Sequence, residues 1–339
     1  SIDEIDMDAP FFSQSNYSGK RPASVSPAKT AMTIEAPTAY QWNNDGWVME
    51  LNKLTISHGR FQNEKETERA PYTDRFDGQH LLFTDISASF HHVLFSKDTL
   101  SADIQLASNE RSGLQVKKLQ ASFKFTPEIM EFNHLDLITN KSHLKDYYAM
   151  RYNDFNEDMN NFIHSVVLEG HFKDSELNSD DLAIFAPNLA SWKRIFYLEG
   201  TAKGSIDNFM ARNMKIKSGH SQVEGDIALR GLPDINSTFI DFKAKGLQTS
   251  YADAVALVPS LARITQPQLS KLGNIFYKGN FTGFLNDFVA FGTIITNMGM
   301  VTADLNMKLP ETGIPNYSGK LMTNHFKLGE FINSKELGN

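Results

Sequence analysis

The sequence predicts a mainly β protein with antiparallel strands, on two observations. The first is a period-two alternation of apolar and polar residues, clearest over residues 301–309. Successive strand side chains point to opposite faces, so such a run has one dry and one wet face, which suits an antiparallel sheet. The second is length: 339 residues exceed the roughly 250–300 that one compact core can hold. The chain is therefore expected to have two cores or an elongated body.

Four segments alternate most clearly: residues 100–106, 119–125, 223–229 and 301–309. Their apolar positions are the candidates for one continuous dry face. Those positions are Leu100, Ala102, Ile104, Leu106, Leu119, Phe123, Phe125, Ile227, Leu229, Val301, Leu305, Met307 and Leu309.

Helices are predicted to be few and short, with narrow apolar stripes that suit packing against a sheet. Asp154 and Glu157 form a capping-box pattern ahead of one helix. Ser179 and Ser250 are predicted N-caps of two more, and Pro267 is predicted to start a fourth at its first position.

An internal repeat follows, each unit being a capped helix and about four strands. Ile195-Phe-Tyr197 recurs as Ile275-Phe-Tyr277, and Gly200 and Gly279 are 79 residues apart, as are Phe209 and Phe288. Stacked units of this kind create a long surface.

The expected organisation has four parts. Residues 1–41 are an irregular lead-in, and residues 42–175 are a first antiparallel segment that ends in a short helix and a strand. Residues 176–246 and 247–339 are the two repeat units. The chain is expected to be an internal piece of a longer protein.

Composition excludes several classes of function. Lys and Arg number 33 against 40 Asp and Glu, a net charge of −7, which excludes a general nucleic-acid binder. Cysteine is absent, which removes disulfides, thiol nucleophiles and thiolate metal sites and favours an oxidising compartment, here a bacterial periplasm. No apolar run reaches the length of a membrane span, so no transmembrane segment is predicted in this chain.

No motif promotes catalysis, and we expect neither an enzyme nor a bound cofactor. The acidic residues 154–158 imitate a calcium loop, but Met159 and Ser165 stand where the loop needs Gly and Glu. His91 and His92 are adjacent in a predicted strand, so they are expected on opposite faces, where they would not share a metal.

The dry face itself is the remaining candidate, and two alternatives are open. A second sheet could cover it, which gives a closed sandwich. Alternatively the sheet curls and leaves an apolar trough that accepts acyl chains. The 25 phenylalanines do not decide between them, because Phe fills cores and lipid troughs alike.

Several motifs resemble the helix-plus-strand unit of the AsmA/TamB-like family. The resemblance covers residues 176–331 and extends over 42–175, with Lys327 where the family often has Asp. The motifs are Asp180-Asp181-Leu182 with Pro187, Leu198-Glu-Gly200 with Gly204, Gly279-Asn-Phe-Thr-Gly283, Thr296-Asn-Met-Gly299, Tyr317-Ser-Gly319-Lys320-Leu321 and Phe326-Lys-Leu-Gly329.

The resemblance implies a curled, β-taco-like antiparallel rod with an apolar groove. It further implies a periplasmic protein of a diderm bacterium, anchored in the inner membrane as a full-length protein. Such a protein carries phospholipid in support of outer-membrane biogenesis, and some family members work with an Omp85-type outer-membrane barrel. No catalytic residue carries over. The thirteen apolar positions above would then line the lipid groove.

Two other functions stay open at this stage. The protein could be a scaffold without lipid whose sheet edges pair with strands of nascent outer-membrane proteins. It could also be a secreted β-rich adhesin stalk. An open apolar trough favours lipid, long unprotected edges favour strand pairing, and a closed sandwich with charged edges favours the stalk.

Overall fold

The computed structural model describes residues 1–16, 42–69, 71–232, 234, 237–257, 259–308, 316–334 and 336. They form one long, curled, open sheet of 17 strands with a few short helices, so the predicted fold class is confirmed. The first nine strands are β1 (Ile2–Asp8), β2 (Phe11–Asn16), β3 (Met49–Lys65), β4 (His80–Ser96), β5 (Thr99–Glu110), β6 (Gln115–Phe125), β7 (Ile129–Ile138), β8 (His143–Arg151) and β9 (Val167–Asn178). The other eight are β10 (Ile195–Ser205), β11 (Asn208–Ser218), β12 (Ser221–Arg230), β13 (Phe239–Ser250), β14 (Asn274–Phe284), β15 (Asp287–Thr296), β16 (Gly299–Lys308) and β17 (Asn316–Asn324).

From β3 to β17 the sheet is a meander in which each strand pairs antiparallel with the one before it. This order keeps every pairing local in sequence. The period-two alternation of the strands then places the same face of each strand on the same side of the sheet.

β1 and β2 are the exception, because they run parallel to β3 and lie end to end along it. Ala9 N donates to Ser57 O at 2.7 Å, and Arg60 N donates to Pro10 O at 2.8 Å, which joins the two strands into one edge. The expectation of an irregular lead-in over residues 1–41 was therefore wrong for residues 2–16. Ile5 packs against the buried cluster of the sheet, which anchors this edge. Residues 17–41 lie outside the described residues.

The short helices lie in connections at the two rims of the sheet. One rim carries the connection with α1 (Phe155–Asn160) and α2 (Phe162–Ser165). The other rim carries α3 (Ser179–Ala183), the 3₁₀ helix η1 (Pro187–Ser191), α4 (Tyr251–Leu257), η2 (Pro259–Arg263), η3 (Leu269–Leu272) and α5 (Leu328–Ile332). A helix followed by four strands occurs twice, as α3 with β10–β13 and α4 with β14–β17.

The helix caps agree with the sequence in part. Asp154 caps α1 by accepting from Glu157 N at 2.9 Å, as predicted. The carboxylate that reaches back to the cap is Asp158, whose Oδ2 accepts from the backbone N of the cap residue Asp154 at 3.3 Å and from Asn153 N at 2.6 Å. Glu157 was therefore the wrong partner.

Two further cap assignments also need correction, while one is confirmed. Asn178, not Ser179, caps α3, because the Ser179 hydroxyl accepts from Arg194 N at 2.9 Å. Ser250 accepts from Asp253 N at 3.1 Å, as predicted for a cap of α4. Pro267 precedes η3 by two residues and is not its first residue.

The sheet curls by two different local devices. Between β3 and β11, β-bulges hold non-glycine residues at positive φ, namely His58, Asp85, His92, His134, Asp146, Asp174 and Asn213. A bulge bends its strand and increases the local twist. Strands β10, β14, β16 and β17 hold glycines at positive φ instead, at Gly200, Gly204, Gly283, Gly299 and Gly319.

Candidate functional site: an uncovered apolar groove

The pairing register places all twelve described candidates on one face of the sheet. Leu100, Ala102, Ile104 and Leu106 oppose Phe125, Phe123, Ala121 and Leu119 across β5 and β6. The partners of Ile227, Leu229, Val301, Leu305 and Met307 continue the same face through β11–β16. We call this side the groove face and the opposite side the outer face. Leu309 lies outside the described residues.

One row of the groove face is apolar or glycine across twelve consecutive strands. Each member is the register partner of the next, so the row spans eleven interstrand steps, roughly 50 Å at the usual strand spacing. The row is Ala102, Phe123, Phe132, Tyr148, Gly170, Ala202, Ala211, Ile227, Phe242, Phe281, Ala290 and Leu305.

Among the described residues, no second layer covers the groove face. Of the described candidates only Ala102 and Ile104 are buried, and the others are half-buried. Seven of the sixteen buried hydrophobic residues are alanines, and Phe326 is the sole Phe among them. A closed sandwich would bury its large side chains between two sheets. Among the described residues the large apolar side chains instead shield one another within one curled layer.

Charge is segregated between the two faces. No register position on the groove face of β10–β16 is a charged residue. The outer face of the same strands carries ion pairs such as Lys308 with Asp287 at 3.1 Å and Lys215 with Glu199 at 3.5 Å. The groove face of β10–β16 therefore offers an apolar surface six interstrand steps long, roughly 29 Å, without a charged anchor.

Two clusters give the groove its packed floor. The first joins β3–β8 through Leu51, Val93, Ile104, Ala121 and Leu135, with Phe90, Phe132 and Tyr148 packed against them. The second joins β9–β12 through Ala202, Ala211 and Met214. Burial in this apolar setting raises the pKa of Tyr148 to about 12, so its hydroxyl stays neutral across the physiological range.

A furrow of small residues runs along the groove floor from β12 to β16. Its members are register partners in sequence: Gly225, Ala244, Gly279, Gly292 and Ala303. The furrow spans four interstrand steps, roughly 19 Å. The rows beside it are larger, with Val223, Leu247, Tyr277, Ile294 and Val301 on one side and Ile227, Phe242, Phe281, Ala290 and Leu305 on the other.

Aromatic rings close the first part of the groove at one rim. The ring of Phe125 lies 4.5 Å from that of Trp42 and 5.5 Å from that of Phe155, at the start of α1. Tyr152 packs edge-on against Phe155 at 5.3 Å. Helix α1 therefore ends the apolar surface at the tip of β6.

The histidine pair in β4 departs from the expectation. His91 opposes Asp103 in the register, and His92 Nδ1 lies 3.1 Å from the same Asp103 carboxylate, so both rings lie on the outer face. The positive φ of His92 interrupts the alternation, which is why the two neighbours share a side. Hydrogen bonds from His92 and Ser122 hold the pKa of Asp103 below its ordinary value. No group of three or more His, Asp or Glu residues suited to a metal occurs in the described part of the chain.

Sequence analysis missed the middle of the row. Phe132, Tyr148, Gly170, Ala202 and Ala211 join the two predicted stretches of groove, yet none belonged to the four segments with clear alternation. Bulges in β7, β8 and β9 shift the phase there, and Gly and Ala carry a weak hydrophobic signal. Apolar residues three apart, such as Phe132 and Leu135, are the signal of such a shift.

Comparisons with known proteins do not identify a relative: no family model, curated protein or solved structure matches this chain. Among the described residues, no helix combines the length and apolar character that crossing a membrane requires.

Proposed function

We propose that the groove face holds the acyl chains of phospholipid and that the protein is a lipid conduit without enzymatic activity. The observation that carries the proposal is the apolar row across twelve strands, which no described residue covers, with no charged position on this face of β10–β16. An acyl chain that lies along it gains roughly 0.8 kcal/mol for each CH₂ removed from water. Headgroups would stay in water at the mouth of the groove.

The lack of a charged anchor along the row supports transfer more than storage. A binding pocket fixes its ligand with a few placed polar groups. Here every position of the row is apolar, aromatic or glycine, so a lipid shifted by one strand still lies on apolar surface. The furrow from Gly225 to Ala303 adds no continuous track for a chain, because the ring of Tyr277 lies over Gly279 and Gly292.

The cellular setting of the proposal depends on the sequence resemblance alone. By that resemblance the protein lies in the periplasm of a diderm bacterium as part of an inner-membrane-anchored AsmA/TamB-like protein. Phospholipid would pass along it toward the outer membrane, with an Omp85-type outer-membrane barrel as a partner. We also propose that the protein has no role in binding nucleic acid.

A second candidate, strand pairing without lipid, is favoured by one edge of the sheet. Leu321 and Met322 of β17 are 56% and 61% exposed, on opposite faces of an edge strand. A stalk function receives less support, because a stalk was expected to have a closed sandwich and the described residues form a single curled sheet.

The test compares matched substitutions on the two faces of neighbouring strands. Leu305 of β16 lies on the groove face, and Phe291 of β15 is 56% exposed on the outer face. Leu305→Asp places a charge in the groove and is expected to lower co-purified phospholipid about tenfold, whereas Phe291→Asp leaves it unchanged. Native mass spectrometry with lipid extraction measures the load, and circular dichroism checks folding.

A third variant separates obstruction from unfolding. Ala303→Phe fills the furrow with an apolar ring and introduces no charge, so it should lower lipid loading in a folded protein. Normal loading of folded Leu305→Asp and Ala303→Phe proteins would refute the proposal. So would a wild-type protein that stays free of lipid after incubation with phospholipid vesicles.

A further inference from the structure

The ring of Tyr277 occupies the middle of the small-residue furrow. Tyr277 lies on the groove face of β14, in one of the two rows of larger residues beside the furrow. A Cβ placed on Gly279 would lie 2.9 Å from the Tyr277 hydroxyl oxygen, and one on Gly292 would lie 2.7 Å from its ring carbon Cε2. The ring therefore takes the space above these two glycines and interrupts the furrow between Ala244 and Ala303.

Two long contacts of the hydroxyl hold the ring in this place. The Tyr277 hydroxyl donates to the backbone carbonyl of Asn280 at 3.1 Å, and its second contact, to the carbonyl of Phe291, is 3.5 Å long. Burial raises the pKa of the Tyr277 phenol, so the hydroxyl keeps its proton and remains a donor. Both contacts are longer than the usual O–H···O distance of about 2.7–2.8 Å, and water replaces such bonds at little net cost.

A comparable ring in the first half of the groove is held by packing instead. Phe172 lies over Gly170, where a Cβ would meet its ring carbon Cζ at 2.8 Å. Phe172 also packs against the second buried cluster, which includes Ala202. Tyr277 belongs to neither buried cluster of the described residues. A rotation about χ1 therefore moves the Tyr277 ring off its glycines without opening a packed cluster.

With the ring displaced, the furrow becomes one continuous apolar track. Its floor is then glycine or alanine at five successive register positions, over roughly 19 Å. Apolar side chains flank the floor, with Val223 and Ile294 on one side and Phe242 and Leu305 on the other. A track one residue wide between two apolar rows suits a single extended acyl chain, which gains free energy from each CH₂ that leaves water.

We propose that the furrow is a closed subsite for one acyl chain and that the ring of Tyr277 is its gate. The ring and the chain compete for the space above Gly279 and Gly292, so the chain enters only when the ring swings away. This inference rests on the proposed function, because it gives the acyl chain of a phospholipid its place in the groove. A closed state lowers the apparent affinity in proportion to the fraction of protein that is open. The gate thereby favours release of the lipid over storage.

The test measures the uptake of phospholipid from vesicles of phosphatidylethanolamine and phosphatidylglycerol, at limiting vesicle concentration, by variants of the whole chain. Tyr277→Phe keeps the ring but removes both hydroxyl contacts, so uptake should rise about threefold. Tyr277→Ala removes the ring, and uptake should rise about tenfold. Phe281→Ala is the matched control on the same strand and face. It removes a ring that packs against Phe288 at 4.8 Å and should not raise uptake.

A double variant separates a gate from a general loosening of the sheet. Ala303→Phe fills the furrow, so in that background Tyr277→Ala should no longer raise uptake. Circular dichroism checks the folding of each variant, and Tyr277→Phe decides if Tyr277→Ala does not fold.

The outcomes distinguish the gate from the function on which it rests. If the native protein takes up lipid and the Tyr277 variants take up no more, the gate alone is overturned. An increase that persists in the Ala303→Phe background overturns it as well. If neither the native protein nor folded Tyr277→Ala takes up lipid, the gate and the proposed function both fail.

Discussion

The two halves of the sheet differ in which residues hold positive φ within the strands. In β3–β9 the bends occur at bulges whose extra residue is His, Asp or another side chain held at positive φ. In β12–β17 no strand holds a non-glycine residue at positive φ, and Gly283, Gly299 and Gly319 hold it in β14, β16 and β17, while β13 has a bulge without positive φ. Bulge residues project polar groups from the outer face, whereas glycines remove side chains from the groove face.

The difference explains why the groove changes character along its length. The bulged half keeps large groove side chains such as Phe123 and Phe132, whose rings lie 5.1 Å apart, and buries a cluster beneath them. The glycine half has the small-residue furrow instead. A bulge bends a strand and keeps its groove side chains, whereas a glycine at a bend leaves one groove position without a side chain.

The largest expected effect is a side chain at a groove glycine. Gly283 has φ of +136°, and a Cβ there would collide with the backbone carbonyl of Asp287. Gly283→Ala should destabilise the protein by about 3 kcal/mol, from the strained φ and the clash together. Gly246→Ala is the control, since a Cβ at Gly246 meets nothing within 4 Å. Urea unfolding midpoints measure the stability of both variants. Equal midpoints would contradict the role assigned to glycine at positive φ.

A smaller effect is expected at a bulge. His134 is exposed in β7 with φ of +53°, a conformation that costs a β-branched residue more than any other. His134→Val should cost about 1–2 kcal/mol, while His134→Gly stays within about 0.5 kcal/mol of the native protein. If both variants unfold at the same urea concentration, positive φ is not what forms this bend.

The smallest expected effect is a pH dependence of stability that is confined to the first half of the sheet. The pKa of His80 is raised: burial lowers it, but contacts with Asp77 and the Thr67 carbonyl outweigh burial. The hydrogen bond to Asp8 likewise raises the pKa of His58. Stabilisation from a raised histidine is complete below its unfolded value near pH 6.5 and is lost as the pH rises through the folded value.

Carboxylates determine how the stability of the first half of the sheet falls at acid pH. Hydrogen bonds from Lys118 and His143 lower the pKa of Asp136, so its contribution is present above its unfolded value of about 4 and is lost as the pH falls through the folded value. Amide exchange, corrected for its intrinsic pH dependence, should therefore show β3–β8 losing protection above neutrality and below about pH 4. No described strand from β13 to β17 carries a histidine–carboxylate pair, and equal changes there would contradict the assignment.

Much of the fold followed from the sequence, since alternation at residues such as Leu305 and Met307 identifies the faces of a strand directly. The bulges could not be predicted, because nothing in the sequence distinguishes His92 and His134 from ordinary polar strand residues. The edge strands β1 and β2 were missed for a related reason. The acidic residues of β1 protect an edge, and that same charge weakens the strand signal.

The candidate groove was predicted at its two ends but not at its centre. Leu100–Leu106 and the stretch around Leu305 alternate strongly, whereas Gly170, Ala202 and Ala211 join them through small side chains. Whether these segments share one face depends on the pairing register, which one strand alone does not reveal.

The most direct test of the central claim locates the acyl chains themselves. Trp42, Trp47 and Trp192 are replaced by Phe, and single tryptophans are introduced as Phe123→Trp, Phe281→Trp or Phe291→Trp. The first two lie on the groove face of the two halves, and the third lies on the outer face. Phospholipid with brominated acyl chains should quench the fluorescence of the first two and leave the third unchanged. Equal quenching at all three positions, or none at Phe123→Trp and Phe281→Trp in a folded protein, would contradict a groove that carries lipid.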